Sequence, residues 1–419
     1  MQLQQTERQP EAPVSKKSII GPGLIVAATG VGAGDLVAAL VAGTNYGLVF
    51  LWAIIIGSVL KFALNEGVGR WHVTSGKTML EGWHLMGKWA TGYFGIYSII
   101  WGFVYGAAGT ASCALAMSAL FPQLSLTQWA IIHGIAAFLL VWSGKYKIFE
   151  SAMNVLIGIM FITVVGCAII ITPQLGDVLG TAVPALPEGS LLYALGLIGG
   201  VGGSLTMASY GYWLQEKKWT TPSFIHAIRM DSAVAYIATA IFTISLLVMG
   251  AGLLYGTDVN IAGEAGLVDF AGIIGNELHP AVKYLFLIGF WSASFTSVLG
   301  VWNGVPYLFS DFVRTITHSN ISKDALSKTK SYRFFVLWLT FPPMLLHFLG
   351  KPVGLIIAYG ALGAIFMPFL AITLIYLLNK KEYVGIVDRS QKISNVVLSV
   401  SILLFIVLAV NELINIFFK

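Results

Sequence analysis

The sequence predicts an all-α integral membrane protein of eleven transmembrane helices, arranged as an inverted five-plus-five repeat in which helices 1 and 6 are broken. Three observations predict this architecture. The 419-residue chain is 57% hydrophobic and only 10% charged, whereas about a quarter of the residues in a soluble protein are charged. Apolar runs near the roughly 20 residues that cross a bilayer recur along its whole length. Glycine clusters interrupt the first and the sixth of these runs.

The apolar runs define the predicted spans in order. The fourth span is short, and the second runs into a polar end near Lys61. The eleven spans lie at about 20–44, 47–66, 93–119, 127–143, 149–171, 190–214, 231–255, 281–309, 333–349, 353–378 and 394–415, each long enough to cross a bilayer or nearly so.

Positive charge predicts the orientation of the chain in the membrane. Most of the 24 Lys and Arg residues fall in the N-terminal segment or in loops that follow even-numbered spans. The long loops at 172–189 and 256–280 contain acids but no Lys or Arg. Because Lys and Arg accumulate in cytoplasmic loops, we expect a multi-pass protein of the cell membrane with a cytoplasmic N-terminus and an external C-terminus.

The spans group into two halves of five. Residues 1–18 are polar and form a predicted disordered cytoplasmic tail. Residues 19–172 form the first repeat and 173–379 the second. Since five is odd, the second repeat begins on the opposite side of the membrane and is inverted. Residues 380–419 add the eleventh helix and its preceding loop.

The two glycine clusters predict a binding site between the halves. Asp35 follows the first cluster and is the acid placed near mid-membrane, where an ionisable group is a candidate functional residue. Matching interrupted spans in the two halves indicate the substrate site of a transporter. Two alternatives remain: Asp35 caps a broken helix, and the glycines allow close helix packing. The expected substrate-binding residues are Asp35, Gly32, Met207, Ser204, Ser209 and Tyr210, with unwound backbone at Gly30, Ala33, Gly34 and Gly203.

Several motifs resemble the Nramp family of divalent-metal transporters. They are Gly21-Pro22-Gly23 opening span 1, the segment from Gly43 to Gly47, "VTSGKTMLE" at 73–81, "KYKIFE" at 145–150, "MDSAVA" at 230–235 and Pro368-Phe369. The resemblance covers about residues 20–378. It implies the LeuT-type fold and transport by alternating access.

The chain departs from the Nramp motifs at the site itself. Where the family has Asp-Pro-Gly-Asn in span 1, this sequence reads Gly32-Ala33-Gly34-Asp35, so the carboxylate has moved from the first position to the fourth. Where the family has Met-Pro-His-Asn in span 6, it reads Met207-Ala208-Ser209-Tyr210, which keeps the methionine alone. The resemblance thus leaves Asp35 and Met207 as candidate metal ligands.

Residues linked to proton movement in the family are also missing. The acids of span 3 align with Phe103 and Gly106, and the second histidine of span 6 aligns with Leu214. A proton relay needs titratable groups within hydrogen-bond reach of each other. We therefore expect proton coupling to be absent or altered.

These observations favour a secondary transporter of a divalent cation, either manganese- or iron-like or magnesium, as its substrate. The alternative is a carrier of a small organic solute, such as an amino acid, on the same fold. A membrane sensor or structural protein is a third possibility. We expect no enzymatic activity, because no paired acids, metal triad or nucleophile constellation is found. We expect no cofactor and no nucleic-acid partner, with the lipid bilayer as surroundings; the oligomeric state stays open, with a monomer as one option.

Overall fold

Helices make up nearly all of the computed structural model, which describes residues 21–200, 205–257, 265–349, 352–384 and 392–418. No strand occurs in these ranges. The α-helices are α1 (Gly23–Gly30), α2 (Ala33–Tyr46), α3 (Leu51–Ser75), α4 (Met79–Leu85), α5 (Lys88–Leu120), α6 (Leu126–Trp142), α7 (Tyr146–Ile171), α8 (Leu191–Gly200), α9 (Tyr210–Glu216), α10 (Ile225–Leu254), α11 (Ala265–Glu277), α12 (Pro280–Ile316), α13 (Lys330–Met344), α14 (Pro352–Asn379) and α15 (Lys392–Phe418). The predicted tail at 1–18 lies outside the described residues.

Six continuous helices in the described ranges are long and apolar enough to cross a membrane, and a seventh span results if α1 and α2 count as one. The six occupy Leu51–Ser75, Lys88–Leu120, Tyr146–Ile171, Pro222–Leu254, Pro280–Ile316 and Lys392–Val410. The multi-pass character is therefore confirmed. The count of eleven spans and the division into repeats at 172 and 379 stay predictions.

The first span is broken, as its glycines predict. Its two halves, Gly23–Gly30 and Gly34–Tyr46, are bent by 66° relative to each other. Val31 and Gly32 between them have extended backbone. The cause is local: glycine weakens a helix interior by about 1 kcal/mol relative to alanine, so the interruption costs little here.

The described part of the sixth span is not one regular α-helix. Helix α8 ends at Gly200, a 3₁₀ turn covers Leu205–Ser209, and α9 follows directly. The 3₁₀ turn packs against α1, α3, α12 and α14. Gly203 and Ser204, which we expected to be unwound backbone and ligand, lie outside the described residues.

Span 2 differs from its prediction, and the difference places a charge inside the protein. Helix α3 runs from Leu51 to Ser75, well beyond the predicted end at residue 66. Lys61 is consequently not at a polar end but near the middle of the helix, with only 1% of its surface exposed. The hydropathy pattern misplaced it because a lysine normally marks the edge of a span.

Helix α10 packs directly against α2 through two glycines. A Cβ atom added at Gly43 would lie 2.1 Å from the carbonyl oxygen of Leu247, and one at Gly250 would lie 2.2 Å from that of Leu40. These distances leave no room for any side chain. Helix α2, the second part of the broken span, is thus fixed to α10 by backbone-to-backbone contact, as small residues allow in membranes.

Candidate functional site

The break in span 1 brings the end of α1 and the start of α2 together in the interior. Asp35 lies in the first turn of α2, and its carboxylate accepts a hydrogen bond of 2.9 Å from the Gly32 backbone N–H. A carboxylate at a helix N-terminus satisfies a free N–H group and interacts favourably with the helix dipole. Asp35 therefore does cap the broken helix, the alternative role that the sequence left open. A Cβ atom at the exposed neighbour Gly34 would meet no atom within 4 Å, so the start of α2 borders open space.

A buried lysine lies in the same region of the interior as Asp35. The charge of Lys61 on α3 acts on the Asp35 carboxylate from beyond the 4.0 Å of an ion pair. Its ammonium also lies 5.2 Å from the centre of the Phe405 ring on α15, within the range of a cation–π contact. Sequence reasoning missed Lys61 as a site residue.

The other side of the site comes from the 3₁₀ turn of span 6. Met207 and Ser209 are both fully buried there. Within the described residues, the hydroxyl groups of Ser209 and of its neighbour Thr206 have no hydrogen-bond partner. Buried hydroxyls are normally paired, so these two are available to a ligand. The turn contacts α1, which carries the first half of the break.

Tyr210 has a different role from the one expected. Its hydroxyl donates a 2.7 Å hydrogen bond to Asp231 on α10. The same carboxylate accepts hydrogen bonds from the N–H groups of Gly21 at 2.7 Å and Gly23 at 2.8 Å, at the start of α1. Because eight residues of α-helix span about 12 Å, this contact lies at the end of α1 away from the break. As placed here, Tyr210 anchors α1, and its role as a substrate ligand stays a prediction.

The end of α1 near the break is held by span 8. Ser297 on α12 donates a 2.8 Å hydrogen bond to the Thr29 carbonyl oxygen and shares a 2.7 Å hydrogen bond with the Tyr105 hydroxyl on α5. A Cβ atom at Gly300, one turn further along α12, would lie 1.8 Å from Thr29 Oγ1. The last turn of α1 thus lies directly on α12, and the expected backbone ligands from Gly30 to Gly34 follow immediately after this anchor.

Charged side chains join the two halves on the side that positive charge predicts to be cytoplasmic. Arg314 pairs with Asp311 at 2.6 Å and with Glu81 at 2.8 Å, and Lys323 pairs with Glu81 at 2.8 Å. The Tyr212 hydroxyl of α9 donates to Asp311 at 2.7 Å. We call Glu81, Asp311, Arg314 and Lys323 the inner charge cluster. It ties the end of span 8 to α4 and to the segment after the break in span 6.

Glu81 is positioned for this cluster by its own helix. It forms a capping box with Thr78, whose N–H donates to Glu81 Oε2 at 2.8 Å. Partial burial opposes ionisation of Glu81, but hydrogen bonds from Lys323, Arg314 and the Thr78 backbone outweigh it and lower the pKa of its carboxyl group. Glu81 is therefore ionised at neutral pH.

The described residues contain no group of three or more His, Cys, Asp or Glu side chains that could jointly hold a metal ion. A cation at the break would instead be held by one carboxylate, backbone carbonyls and hydroxyl groups, and Met207 is a candidate ligand on the 3₁₀ turn that packs against α1. Oxygen ligands of this kind suit hard divalent cations, and a thioether favours transition metals.

Comparison with known proteins identifies relatives over most of the chain. The family described as "Natural resistance-associated macrophage protein-like", Nramp, matches residues 23–415. The chain is 24% identical over 301 residues to the uncharacterized protein PM0681 of Pasteurella multocida, covering 68% of this chain and 69% of that protein. It is 25% identical over 273 residues to the divalent metal cation transporter MntH of Staphylococcus saprophyticus, covering 62% of this chain and 60% of that protein.

Solved structures identify the fold. A mutant of the manganese transporter of Eremococcus coleocola superposes with a TM-score of 0.79 at 17% identity, covering 99% of this chain and 91% of that one. MhsT in complex with L-phenylalanine superposes with a TM-score of 0.52 at 17% identity, covering 97% and 99% of the two chains. The fold is therefore the LeuT fold, as the broken spans indicated.

Proposed function

Because this chain belongs to the Nramp family, we propose that it is a secondary transporter that carries a divalent metal cation across a cell membrane by alternating access. The observation that supports this most is the interruption of span 1, which puts the Asp35 carboxylate beside the C-terminal end of α1. The names of two similar proteins, a divalent metal cation transporter and a manganese transporter, support the substrate class.

The geometry of the break favours a cation over an anion at the end of α1. The C-terminal end of a helix carries partial negative charge. The end of α1 precedes Asp35 by only a few residues, and the Thr206 and Ser209 hydroxyls, which have no partner among the described residues, come from the turn that packs on α1. We propose Asp35, the backbone from Gly30 to Gly34, and Met207 as the cation ligands. Manganese- or iron-like ions suit the thioether, and magnesium suits the oxygens.

We further propose that transport does not use the proton relay of span 3. At Gly106, one of the two positions aligned with its acids, a Cβ atom would lie 2.4 Å from the Leu339 carbonyl oxygen and 2.5 Å from Pro343. Helix α13 fills the space that a carboxylate would need. An acid therefore cannot be accommodated there without moving α13 away from α5.

One observation favours a second candidate, a carrier of a small zwitterionic solute such as an amino acid. Lys61 is buried on α3 in the same region as Asp35, so the interior near the break offers one positive and one negative group. A zwitterion is complementary to such a pair, whereas a divalent cation meets a carboxylate that is already engaged.

Nramp proteins are multi-pass membrane proteins, and we propose a cytoplasmic N-terminus with the inner charge cluster on the cytoplasmic side. We propose no enzymatic activity, because the interior groups described here are suited to binding rather than to bond-making chemistry.

Uptake of Mn²⁺ into proteoliposomes tests the proposal. The wild type should take up the ion faster than empty liposomes, and Asp35→Ala should abolish uptake. Asp269→Ala, which removes an exposed acid on α11, should leave it unchanged. A pH-sensitive dye inside the vesicles should report no proton uptake that depends on Mn²⁺. No uptake by the wild type, together with thermal stabilisation by an amino acid and not by Mn²⁺, would favour the second candidate.

A further inference from the structure

Two histidine side chains meet beside the inner charge cluster, and the function proposed above gives them no role. His84 lies on α4 and His318 just after the end of α12. The centres of their rings are 6.0 Å apart, and the ring planes meet at 75°. His84 follows Glu81 by three residues and His318 follows Arg314 by four. The pair therefore joins the same two elements as the salt bridge between Glu81 and Arg314.

The backbone at His318 is unusual for a histidine. Helix α12 ends in a Schellman motif, in which the Ser319 N–H donates to the Arg314 carbonyl oxygen at 3.0 Å. The His318 N–H donates to the Thr315 carbonyl oxygen at 3.4 Å, which gives His318 the position in the motif that is normally a left-handed glycine. Its φ is 50°, a conformation that a side chain makes costly. Residues held in such conformations concentrate at binding and active sites.

The separation of the two rings fits a shared metal ion. With metal–nitrogen bonds of about 2.0–2.1 Å, two imidazole rings that share one ion have centres about 5–6.5 Å apart for bond angles between tetrahedral and linear. The observed 6.0 Å lies within this range. Within the described residues, His84 Nδ1 and the hydroxyl of Thr315, three residues before His318, are buried and have no hydrogen-bond partner. A neutral ring nitrogen without a partner is available as a metal ligand.

We propose that His84 and His318 bind a divalent transition-metal ion at a second site, on the side of the inner charge cluster. Imidazole ligands favour ions such as Zn²⁺, Ni²⁺ and Fe²⁺, whereas Mg²⁺ prefers oxygen ligands. The described residues contain no group of three or more His, Cys, Asp or Glu that could hold a metal, so water completes the coordination of the ion. A bound ion adds a second link between α4 and the end of α12, next to the salt bridge that already joins them.

This site is separate from the break in span 1. Gly300, which contacts Thr29 beside the break, lies about 24 Å along α12 from its last residue, Ile316. Nearby charge does not exclude a cation, because the inner charge cluster holds two cations and two carboxylates in salt bridges with one another. The inference therefore goes beyond the proposed function and does not depend on it.

Thermal unfolding of the purified full-length protein in a titration with ZnCl₂ tests the site, because an ion that binds the folded state raises the transition temperature. Zn²⁺ should stabilise the wild type, and MgCl₂ at the same concentration should not. His84→Gln and His318→Gly should each raise the Zn²⁺ dissociation constant about tenfold or more. His226→Gln replaces an exposed histidine on α10 and, as the matched control, should respond like the wild type.

His318→Gly separates a metal site from a packing role. Without metal, this variant should be at least as stable as the wild type, because glycine adopts the left-handed backbone without strain. In an Asp35→Asn background, the part of the Zn²⁺ shift that depends on the histidines should remain. Equal Zn²⁺ affinity in the wild type and both histidine variants would overturn the inference and leave the proposed function intact. So would a wild type that Zn²⁺ does not stabilise but that still takes up Mn²⁺.

Discussion

Asp231 is expected to be the most sensitive single residue for the attachment of α1. Its buried carboxylate accepts three hydrogen bonds of 2.7–2.8 Å, from Gly21, Gly23 and Tyr210. At about 1.5 kcal/mol each, where the ranges for neutral and charged hydrogen bonds meet, the three contribute about 4–5 kcal/mol. Asp231→Ala should lose all of this stabilisation, and Asp231→Asn should lose about half of it, because the amide offers only one acceptor oxygen. Tyr210→Phe should lose about 1.5 kcal/mol of stability, the contribution of one hydrogen bond.

Thermal unfolding in detergent gives the test as a ranking of apparent transition temperatures. The order should be wild type, Tyr210→Phe, Asp231→Asn and Asp231→Ala, from highest to lowest. Asp269→Ala on the exposed face of α11 should match the wild type, since such surface changes stay within about 0.5 kcal/mol. A transition temperature for Asp231→Ala equal to that of Asp269→Ala would refute the reasoning. So would an effect of Tyr210→Phe that exceeds that of Asp231→Ala.

Two further predictions concern the break and the inner charge cluster. Gly300→Ala should lower the transition temperature and slow transport, because its methyl group would overlap the Thr29 side chain. The control is Gly158→Ala, which should be neutral or slightly stabilising because no atom lies within 4 Å of the added methyl group. Since the pKa of Glu81 is lowered on folding, its stabilising contribution is present above its ordinary value of 4.5 and is lost as the pH falls through the lower folded value. Wild-type stability should therefore fall as the pH drops below 4.5. Glu81→Gln should be less stable at pH 7 and should lack this part of the acid sensitivity; equal pH profiles for the two proteins would contradict the assignment.

The breaks were the part of the site that the sequence predicts best. Glycine clusters weaken a helix wherever they occur, and a carboxylate that follows such a cluster in an apolar run has few reasons to be there. Both signals are local, and the interruption after Gly30 and the capping position of Asp35 follow from them. The same reasoning indicated that the helix could be broken around Gly203, which lies outside the described residues.

The remaining features of the site depend on contacts between residues far apart in the chain. Asp231 binds the start of α1 from 208 and 210 residues away, and Ser297 binds Thr29 from 268 residues away. No spacing rule connects such positions. Lys61 was misplaced for a different reason: hydropathy treats a lysine as the edge of a span, and only packing reveals that this one is buried beside an aromatic ring.

The central claim is that a divalent cation binds at the break in span 1. Anomalous diffraction from crystals soaked in MnCl₂ tests it most directly, because the signal locates the ion without assumptions about ligands. The account predicts a peak between the end of α1 and the Asp35 carboxylate in the wild type, and none there in Asp35→Asn. An ordered Mn²⁺ peak elsewhere in the protein, with none at the break, would contradict it.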